Sequence, residues 1–294
     1  MESSKHKAGF VSIIGKPNVG KSTLMNQLVG ERLSIITSKA QTTRHRIMGI
    51  LSGKDFQIVY SDTPGIIKPQ YELQNAMMRF VSASLEDADV LLFVTDLFEK
   101  QDEEFIERLK HQAQPVILVL NKTDLAKGSQ VKDKIDYWLQ AFTPAKVVEV
   151  SALMGENINT LFDTILELLP EHEAYFPKEE LTDKPEKFFV EEIIREKIFE
   201  NYKQEVPYST QVEVEEFKED KKIIRIRTII YVERKSQKGI IIGKGGESLK
   251  KVGMAARKDM EVFFQKQVHL ETYVKVAEDW RRKKQALKGF GYQQ

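Results

Sequence analysis

The stretch GKPNVGKS at residues 15–22 constrains the fold more than any other part of the chain. It follows the apolar run FVSIIG and precedes TLMNQLVG, so a buried strand runs into a glycine turn and then a helix. Gly15 and Gly20 let the backbone curl with its N–H groups facing inward, the geometry that cradles phosphate. Lys21 stands where an ammonium reaches the β and γ phosphates of a nucleotide, and Ser22 where a hydroxyl reaches Mg²⁺. Lys16, Pro17, Asn18, Val19 and Thr23 complete the loop, and the helix beginning near Lys21 adds its positive end. No G-x-G-x-x-G is present, which disfavours a dinucleotide fold.

The first 170 residues support this placement. FVSII (10–14), FQIVYS (56–61), VLLFVT (90–95), VILVL (116–120) and KVVEV (146–150) read as strands, with amphipathic stretches such as EEFIERLKHQ (103–112) between them. Such alternation predicts an α/β domain, a mostly parallel sheet with helices on both faces. The continuous apolar strands agree, because strands buried on both sides need no polar face. LPEHEAYFPKEELTDKP (169–185) breaks the pattern with three prolines and several acids. The expected division is therefore 1–170, a linker at 171–185, and a smaller domain at 186–294.

A phosphate loop alone leaves ATPase, kinase and GTPase open. VLNKTD (119–124) separates them. Asn121, Lys122 and Asp124 end a buried strand, and a carboxylate there accepts from the N1–H and exocyclic amine of guanine. Adenine offers the opposite pattern and would leave the charge unpaired. The Lys122 stem can pack over the base. Ser151 and Ala152 follow the next strand, where the Ala152 N–H faces the guanine carbonyl. In YSDTPG (60–65), Asp62 is expected to hold Mg²⁺ through water and the Gly65 N–H to sense the γ-phosphate, with Thr63 and Pro64 between them. Thr42 and Thr43 in QTTR (41–44) are candidates to complete the metal shell with GTP bound; Thr43 is favoured. The expected metal set is Ser22, Thr43 and Asp62, and the catalytic set is Lys21, Thr43, Asp62 and Gly65.

The C-terminal half carries a second signal. Residues 171–220 hold 16 acidic and 7 basic side chains, whereas 221–258 hold 12 Lys/Arg and 2 Glu. This asymmetry points to a polyanion partner for the basic part, although the whole chain has a net charge of only +1. The basic part contains GIIIGKGGESLKKVGMAARK. Gly243, Lys244, Gly245 and Gly246 form a G-x-x-G before an amphipathic helix, a place where a nucleic-acid backbone comes close. Ile240, Ile241 and Ile242 are expected to line a groove for unstacked bases, and Lys250, Lys251, Arg257 and Lys258 to extend the basic region. The expected order is helix (186–203), strand (210–217), strand (222–234), helix, helix (246–265) and strand (268–276).

These motifs resemble the Era family, within the translation-factor-like P-loop GTPases. The stretches GKPNVGKSTLMNQLVG, KAQTTRHRIMGI and DTPGI carry the likeness in the first half. In the second half, EIIREKIF, VPYS, ARKDM, VHLETYVKV and LKGFGY extend it over nearly the whole chain, and the element order resembles a type II KH domain. The resemblance implies a GTP/GDP switch using Mg²⁺ that binds the 3′ end of small-subunit (16S) ribosomal RNA and assists small-subunit assembly. It further implies a cytoplasmic monomer, with peripheral association at the inner membrane in some members. Related GTPases with asparagine at the position of Asn18 bind K⁺ near the phosphates. Ile66 departs from Ras-like enzymes, which place a water-orienting glutamine there.

Bulk composition excludes little but agrees. There is no cysteine, hence no disulfide or thiolate metal site, which fits a reducing cytosol. The five histidines show no zinc-ligand spacing. The N-terminus has no apolar signal region, and no apolar run approaches the roughly 20 residues of a membrane span. Two other classes compete with a GTPase switch. One is a binding module with structural nucleotide, and the other is a membrane-surface GTPase meeting anionic lipid.

Overall fold

The computed structural model describes residues 6–37, 39–100 and 102–292. The chain divides into two compact units. The first runs to Ser34 and takes Thr43–Lys68 and Met77–Asp183; the second takes Ile35–Thr42, Pro69–Ala76 and the chain from Lys184. The second unit thus includes two short pieces from within the stretch 1–170.

The first unit is built on β1 (Lys7–Ile14), β2 (Ile47–Ser52), β3 (Phe56–Asp62), β4 (Val90–Asp96), β5 (Val116–Asn121) and β6 (Lys146–Glu149). Its helices are α1 (Lys21–Val29), α2 (Glu72–Glu86, whose first residues belong to the second unit), α3 (Glu103–Lys110), α4 (Gln130–Leu139) and α5 (Ile158–Leu168). The sheet order is β2-β3-β1-β4-β5-β6, and only β2 runs antiparallel to its neighbour. Every residue of β4 and β5 is buried, as expected of strands covered on both faces. β1 lies between β3 and β4, so the connections leave it in opposite directions. The crevice beyond its carboxyl end is the usual ligand position of an open α/β sheet. Beneath it, Phe93 packs edge-on to Trp138 with ring centroids 5.1 Å apart.

Two features differ from expectation. β2 does not appear among the strands read from the sequence. Its glycine explains why: a Cβ on Gly49 would lie 2.8 Å from both Met25 and Val29 of α1. The strand trades a side chain for close helix contact, which blurs its apolar pattern. The stretch expected as a linker is held in the first unit as far as Asp183. Leu181 accepts from the Ile50 N–H (2.8 Å), Thr182 donates to the Met48 carbonyl (2.6 Å), and Gln57 bonds the backbone of Tyr175 and Phe176. The exposed edge of β2 is thereby covered.

The second unit contains α6 (Glu186–Asn201), β7 (Gln211–Glu219), β8 (Ile223–Val232), α7 (Lys235–Ile242), α8 (Glu247–Phe264), β9 (Gln267–Val276) and α9 (Lys284–Gly289). This is the expected helix–strand–strand–helix–helix–strand order, with the α+β sheet β7-β8-β9. β7 and β8 are antiparallel, and β8 and β9 are parallel. Val190, Ile194 and Ile198 of α6 meet Val252, Ala256 and Met260 of α8 in one core. The chain end is fastened to it: Trp280 donates to the Ser209 carbonyl (2.9 Å) and Tyr292 to Gln211 (2.7 Å).

Glu191 of α6 accepts from the Val214 N–H at 3.0 Å. Burial, aided by Glu192 and Glu213 and opposed by that hydrogen bond and Arg195, raises its carboxyl to about 7. The folded chain therefore holds a proton there at pH values where the unfolded chain has released it. Stability falls as pH rises from the ordinary carboxylate range to about 7. Glu191→Gln should melt close to wild type near pH 4, gain on it as pH rises to about 7, and gain little more by pH 8. Parallel melting curves across that range would refute the assignment.

Candidate nucleotide site and nucleic-acid loop

The phosphate loop leaves β1 at Gly15 and enters α1 at Lys21. Asn18 and Gly20 take left-handed conformations, with φ of 66° and 96°. A Cβ on Gly20 would also collide with the Asn121 amide. α1 has no side-chain cap, so its first N–H groups are left for a ligand. By contrast, α3 is capped by Asp102.

Lys21 is buried, and its ammonium donates to the carbonyls of Gly15 (3.1 Å) and Lys16 (2.9 Å). Burial lowers its pKa to about 8, against the opposing pull of Asp62 and Glu99. Ser22 donates to Asp62 Oδ2 (2.7 Å), Thr43 lies 2.9 Å from the Ser22 hydroxyl, and Thr43 donates to the same carboxylate oxygen (3.3 Å). Asp62 ends β3 and is fully buried, and its Oδ1 has no hydrogen-bond partner among the described residues. Burial pushes its carboxyl above the usual range, with Ser22, Lys21, Ser34 and Thr43 acting against that shift. One buried carboxylate with an unpartnered oxygen, beside two hydroxyls, suits a hard cation that takes oxygen ligands. No cluster of three or more His, Cys, Asp or Glu exists among the described residues. The donor set therefore fits an ion whose remaining ligands come from phosphate and water. Thr42, the alternative to Thr43, faces elsewhere: its hydroxyl meets Thr37 (2.7 Å) and the Lys39 carbonyl (2.9 Å).

The DTPG turn is packed on the phosphate loop. Thr63 donates to the Ile13 carbonyl (2.7 Å), which makes it a tether rather than a ligand. Ile66 N–H donates to the Gly15 carbonyl (3.0 Å), and the Ile66 side chain packs on the core. A Cβ on Gly65 would lie 2.7 Å from the Pro17 nitrogen, so only glycine permits this approach. Val19 is buried, Lys16 and Pro17 are half-buried, Asn18 is exposed, and Thr23 is half-buried on α1.

The base-reading loops are joined by Asn121. Its amide donates to the Val19 carbonyl (2.8 Å), and its carbonyl accepts the Ala152 N–H (2.9 Å). The Ala152 N–H was expected to face guanine. Here it serves Asn121, because a buried amide needs a partner. Asp124 is exposed, with one oxygen held by the Ser151 hydroxyl at 2.6 Å. Lys122 reaches across to the Asn18 carbonyl (2.6 Å) and pairs with Asp96 (2.7 Å).

Sequence reasoning missed Asp96 and Glu99. Asp96 ends β4 as Asp62 ends β3, and a carboxylate closing a buried parallel strand was the available signal. Glu99 is buried, 3.7 Å from the Lys16 ammonium, with burial raising its carboxyl.

In the second unit, α7 ends at Gly243 (φ 73°), and Gly245 and Gly246 are also left-handed. A Cβ on Gly243 would collide with Ser248. α8 begins without a side-chain cap, as α1 does. A groove of about 530 Å³ runs along it, lined by Gly246, Leu249, Lys250, Gly253, Met254, Arg257, Leu270 and Thr272. Lys244 and Gly245 are exposed beside it. Five expected residues, Ile240, Ile241, Ile242, Lys251 and Lys258, do not line it. Ile241 is fully buried in the core, its carbonyl accepting from the Tyr202 hydroxyl (2.6 Å). Ile240 is the exposed member of the trio and Ile242 is half-buried. Lys251 and Lys258 are exposed but do not line the groove, because they sit about a quarter turn round α8 from Lys250 and Arg257. Leu249, Gly253, Met254, Leu270 and Thr272 were not foreseen.

Residues 10–122 match the model of a 50S ribosome-binding GTPase, and residues 205–281 match that of a KH domain. GTPase Era of Staphylococcus epidermidis is 44% identical over 293 residues, covering 98% of each chain. The chain belongs to the GTPase Era family. The chloroplastic GTPase ERA1 of Zea mays is 46% identical over 98% of this chain and 71% of its own. A solved structure of an Aquifex aeolicus Era variant bound to GDP.AlF4- superposes with a TM-score of 0.94 at 40% identity, over 98% of this chain and all of the other. A structure of Era in complex with MgGDPNP and nucleotides 1506–1542 of 16S ribosomal RNA superposes at 0.92, again at 40% identity, with the same coverage. As a member of the Era family the chain is a GTPase, and its two units are the GTPase and KH folds of that family.

Proposed function

We propose that the chain is a GTP-hydrolysing switch that binds the 3′ end of small-subunit ribosomal RNA and assists assembly of that subunit. The observation that carries the reading is the presence, on one chain, of a converged phosphate and metal set and a glycine-looped basic groove. A 40% identical Era that holds MgGDPNP and a 16S fragment supports it.

In this reading Ser22, Thr43 and Asp62 hold Mg²⁺, which supplies positive charge to the β and γ phosphates. Lys21 gives up its loop carbonyls for the phosphates. The Gly65 N–H faces the γ-phosphate at the turn packed on Pro17. Asp124, pre-set by Ser151, reads guanine. Ile66 cannot orient water, so the attacking water is held by backbone, by another loop or by a partner. Asn18, exposed and left-handed with its carbonyl fixed by Lys122, is the K⁺ ligand in this reading. In the KH unit, RNA backbone meets Gly243–Gly246 and Lys244, while Lys250 and Arg257 line the base groove. We place the protein in the cytoplasm as a monomer, with contact at the inner membrane peripheral and electrostatic. Among the described residues no helix is long and apolar enough to cross a membrane.

Three measurements test this reading. Turnover should be faster in potassium than in sodium buffer; equal rates remove K⁺ from the account. Asp124→Asn should weaken GTP by at least about a hundredfold and turn preference toward xanthine nucleotides, and an unchanged guanine preference would sink the base assignment. Gly243→Asp places a side chain against Ser248 and a negative charge at the phosphate loop. Binding to a 16S 3′-end oligonucleotide should be lost while intrinsic hydrolysis persists; normal RNA binding would move the groove elsewhere.

A further inference from the structure

α6 is buried on nearly every side, yet four of its buried residues are charged: Glu192, Arg195, Glu196 and Lys197. A helix does not gain stability from buried ion pairs compared with apolar packing, because desolvation roughly cancels the attraction. Their retention calls for another reason, and their partners supply it. The Arg195 guanidinium, only 1% exposed, pairs with Glu192 and donates to the Thr42 carbonyl at 2.8 Å. Glu196, also 1% exposed, accepts the Ile36 N–H at 3.2 Å. Lys39 in turn donates to the Phe199 and Tyr202 carbonyls, at the negative end of α6. All of these lie within the second unit, which is why Ile35–Thr42 belongs to it. Lys197 completes the row by pairing with Asp259 of α8 at 2.8 Å. The polar side of α6 is therefore shaped for a piece of main chain. Its charges meet one amide and one carbonyl, and its own end carbonyls meet one ammonium.

The next residue after Thr42 is Thr43, whose hydroxyl stands with Ser22 and Asp62. We propose that α6 is a receptor for Ile35–Thr42, and that Arg195, held by Glu192, is a positioning residue that presents Thr43 to the metal. The inference rests on the reading above, in which Thr43 completes the metal shell only with GTP bound. Seating the segment on α6 and placing the Thr43 hydroxyl are then one event. Fixing the Thr42 carbonyl removes freedom from the peptide that carries Thr43. A GDP-bound protein, which does not need Thr43, gains nothing from the receptor.

The test removes both members of the pair, because removing one alone strands a buried charge. In the Glu192→Met/Arg195→Met variant, GDP affinity should stay within about twofold of wild type. Affinity for GDPNP and the single-turnover hydrolysis rate should each fall about tenfold, within the usual range of coupling between sites. A role confined to stability would move melting temperature without moving the GDPNP-to-GDP ratio. Lys39→Met, which touches no buried charge, should shift the ratio the same way by a smaller factor. A folded double variant with the wild-type ratio and rate would overturn the proposal. If the double variant does not fold, an unchanged ratio in Lys39→Met overturns it. Wild-type protein that fails to hydrolyse GTP at all would instead refute the function assigned above.

Discussion

The first unit is organised around a charge that its own side chains leave half-answered. Asp62 ends a strand paired on both sides and is fully buried, which raises the cost of ionisation. Two hydroxyls satisfy one of its oxygens and none satisfies the other. Such a group calls for a cation or a proton, because an isolated buried carboxylate costs several kcal/mol. The requirement reaches outward from there. Ser22 must stand in the first turn of α1 at this spot, which fixes the length of the glycine loop. Thr43 must arrive from a different segment. Lys21, buried beside the same carboxylate, must find loop carbonyls to share its charge.

The two functional loops solve one problem in the same way. Each places a left-handed glycine, Gly20 or Gly246, directly before a helix, and neither helix has a capping side chain. A Ser or Asp at that position would stabilise the helix by about 1 kcal/mol and would use an N–H that phosphate needs. What distinguishes the loops is their surroundings. Gly20 lies against Asn121, whose amide ties the phosphate loop to the loop after β6. Gly246 opens on a groove with Leu249, Met254 and Leu270 on its walls and Lys250 and Arg257 among them. Apolar walls with scattered cations suit a strand whose bases stack and whose phosphates vary in position.

How far the sequence could be read follows from where each requirement is written. The phosphate loop is legible because its geometry must be met by consecutive residues. The NKTD and DTPG turns are legible because each closes a continuous apolar strand. β2 is not, since Gly49 answers to α1 across the sheet face rather than to its neighbours in sequence. Ile241 looks like its neighbour Ile240 in the sequence and ends on the opposite side of the surface, because α7 rotates each residue by about 100°. Asn121 and Ala152 look like independent base contacts; their mutual hydrogen bond depends on β5 and β6 lying side by side. The stretch 171–185 reads as a linker by its prolines and acids. Yet its carbonyl and hydroxyl groups satisfy β2, an edge whose existence was itself not apparent.

α6 shows the limit most clearly. Phe189, Ile193, Ile194 and Ile198 mark an amphipathic helix, and for such a helix the polar face is ordinarily left to solvent. Here that face is buried as well. Nothing within 186–203 states this, because the covering segment lies some 150 residues earlier in the chain. Only its chemistry leaves a trace: Glu192 and Arg195 at i and i+3, too costly to bury against hydrocarbon, are well suited to bury against peptide groups. Main chain offers donors and acceptors at fixed spacing: Arg195, braced by Glu192, meets a carbonyl, and the adjacent Glu196 meets an amide. An apolar face would bind such a segment no more firmly in one register than in another. The charged face accepts one register alone, and a segment that must deliver a single hydroxyl to a single carboxylate needs that restriction more than it needs affinity.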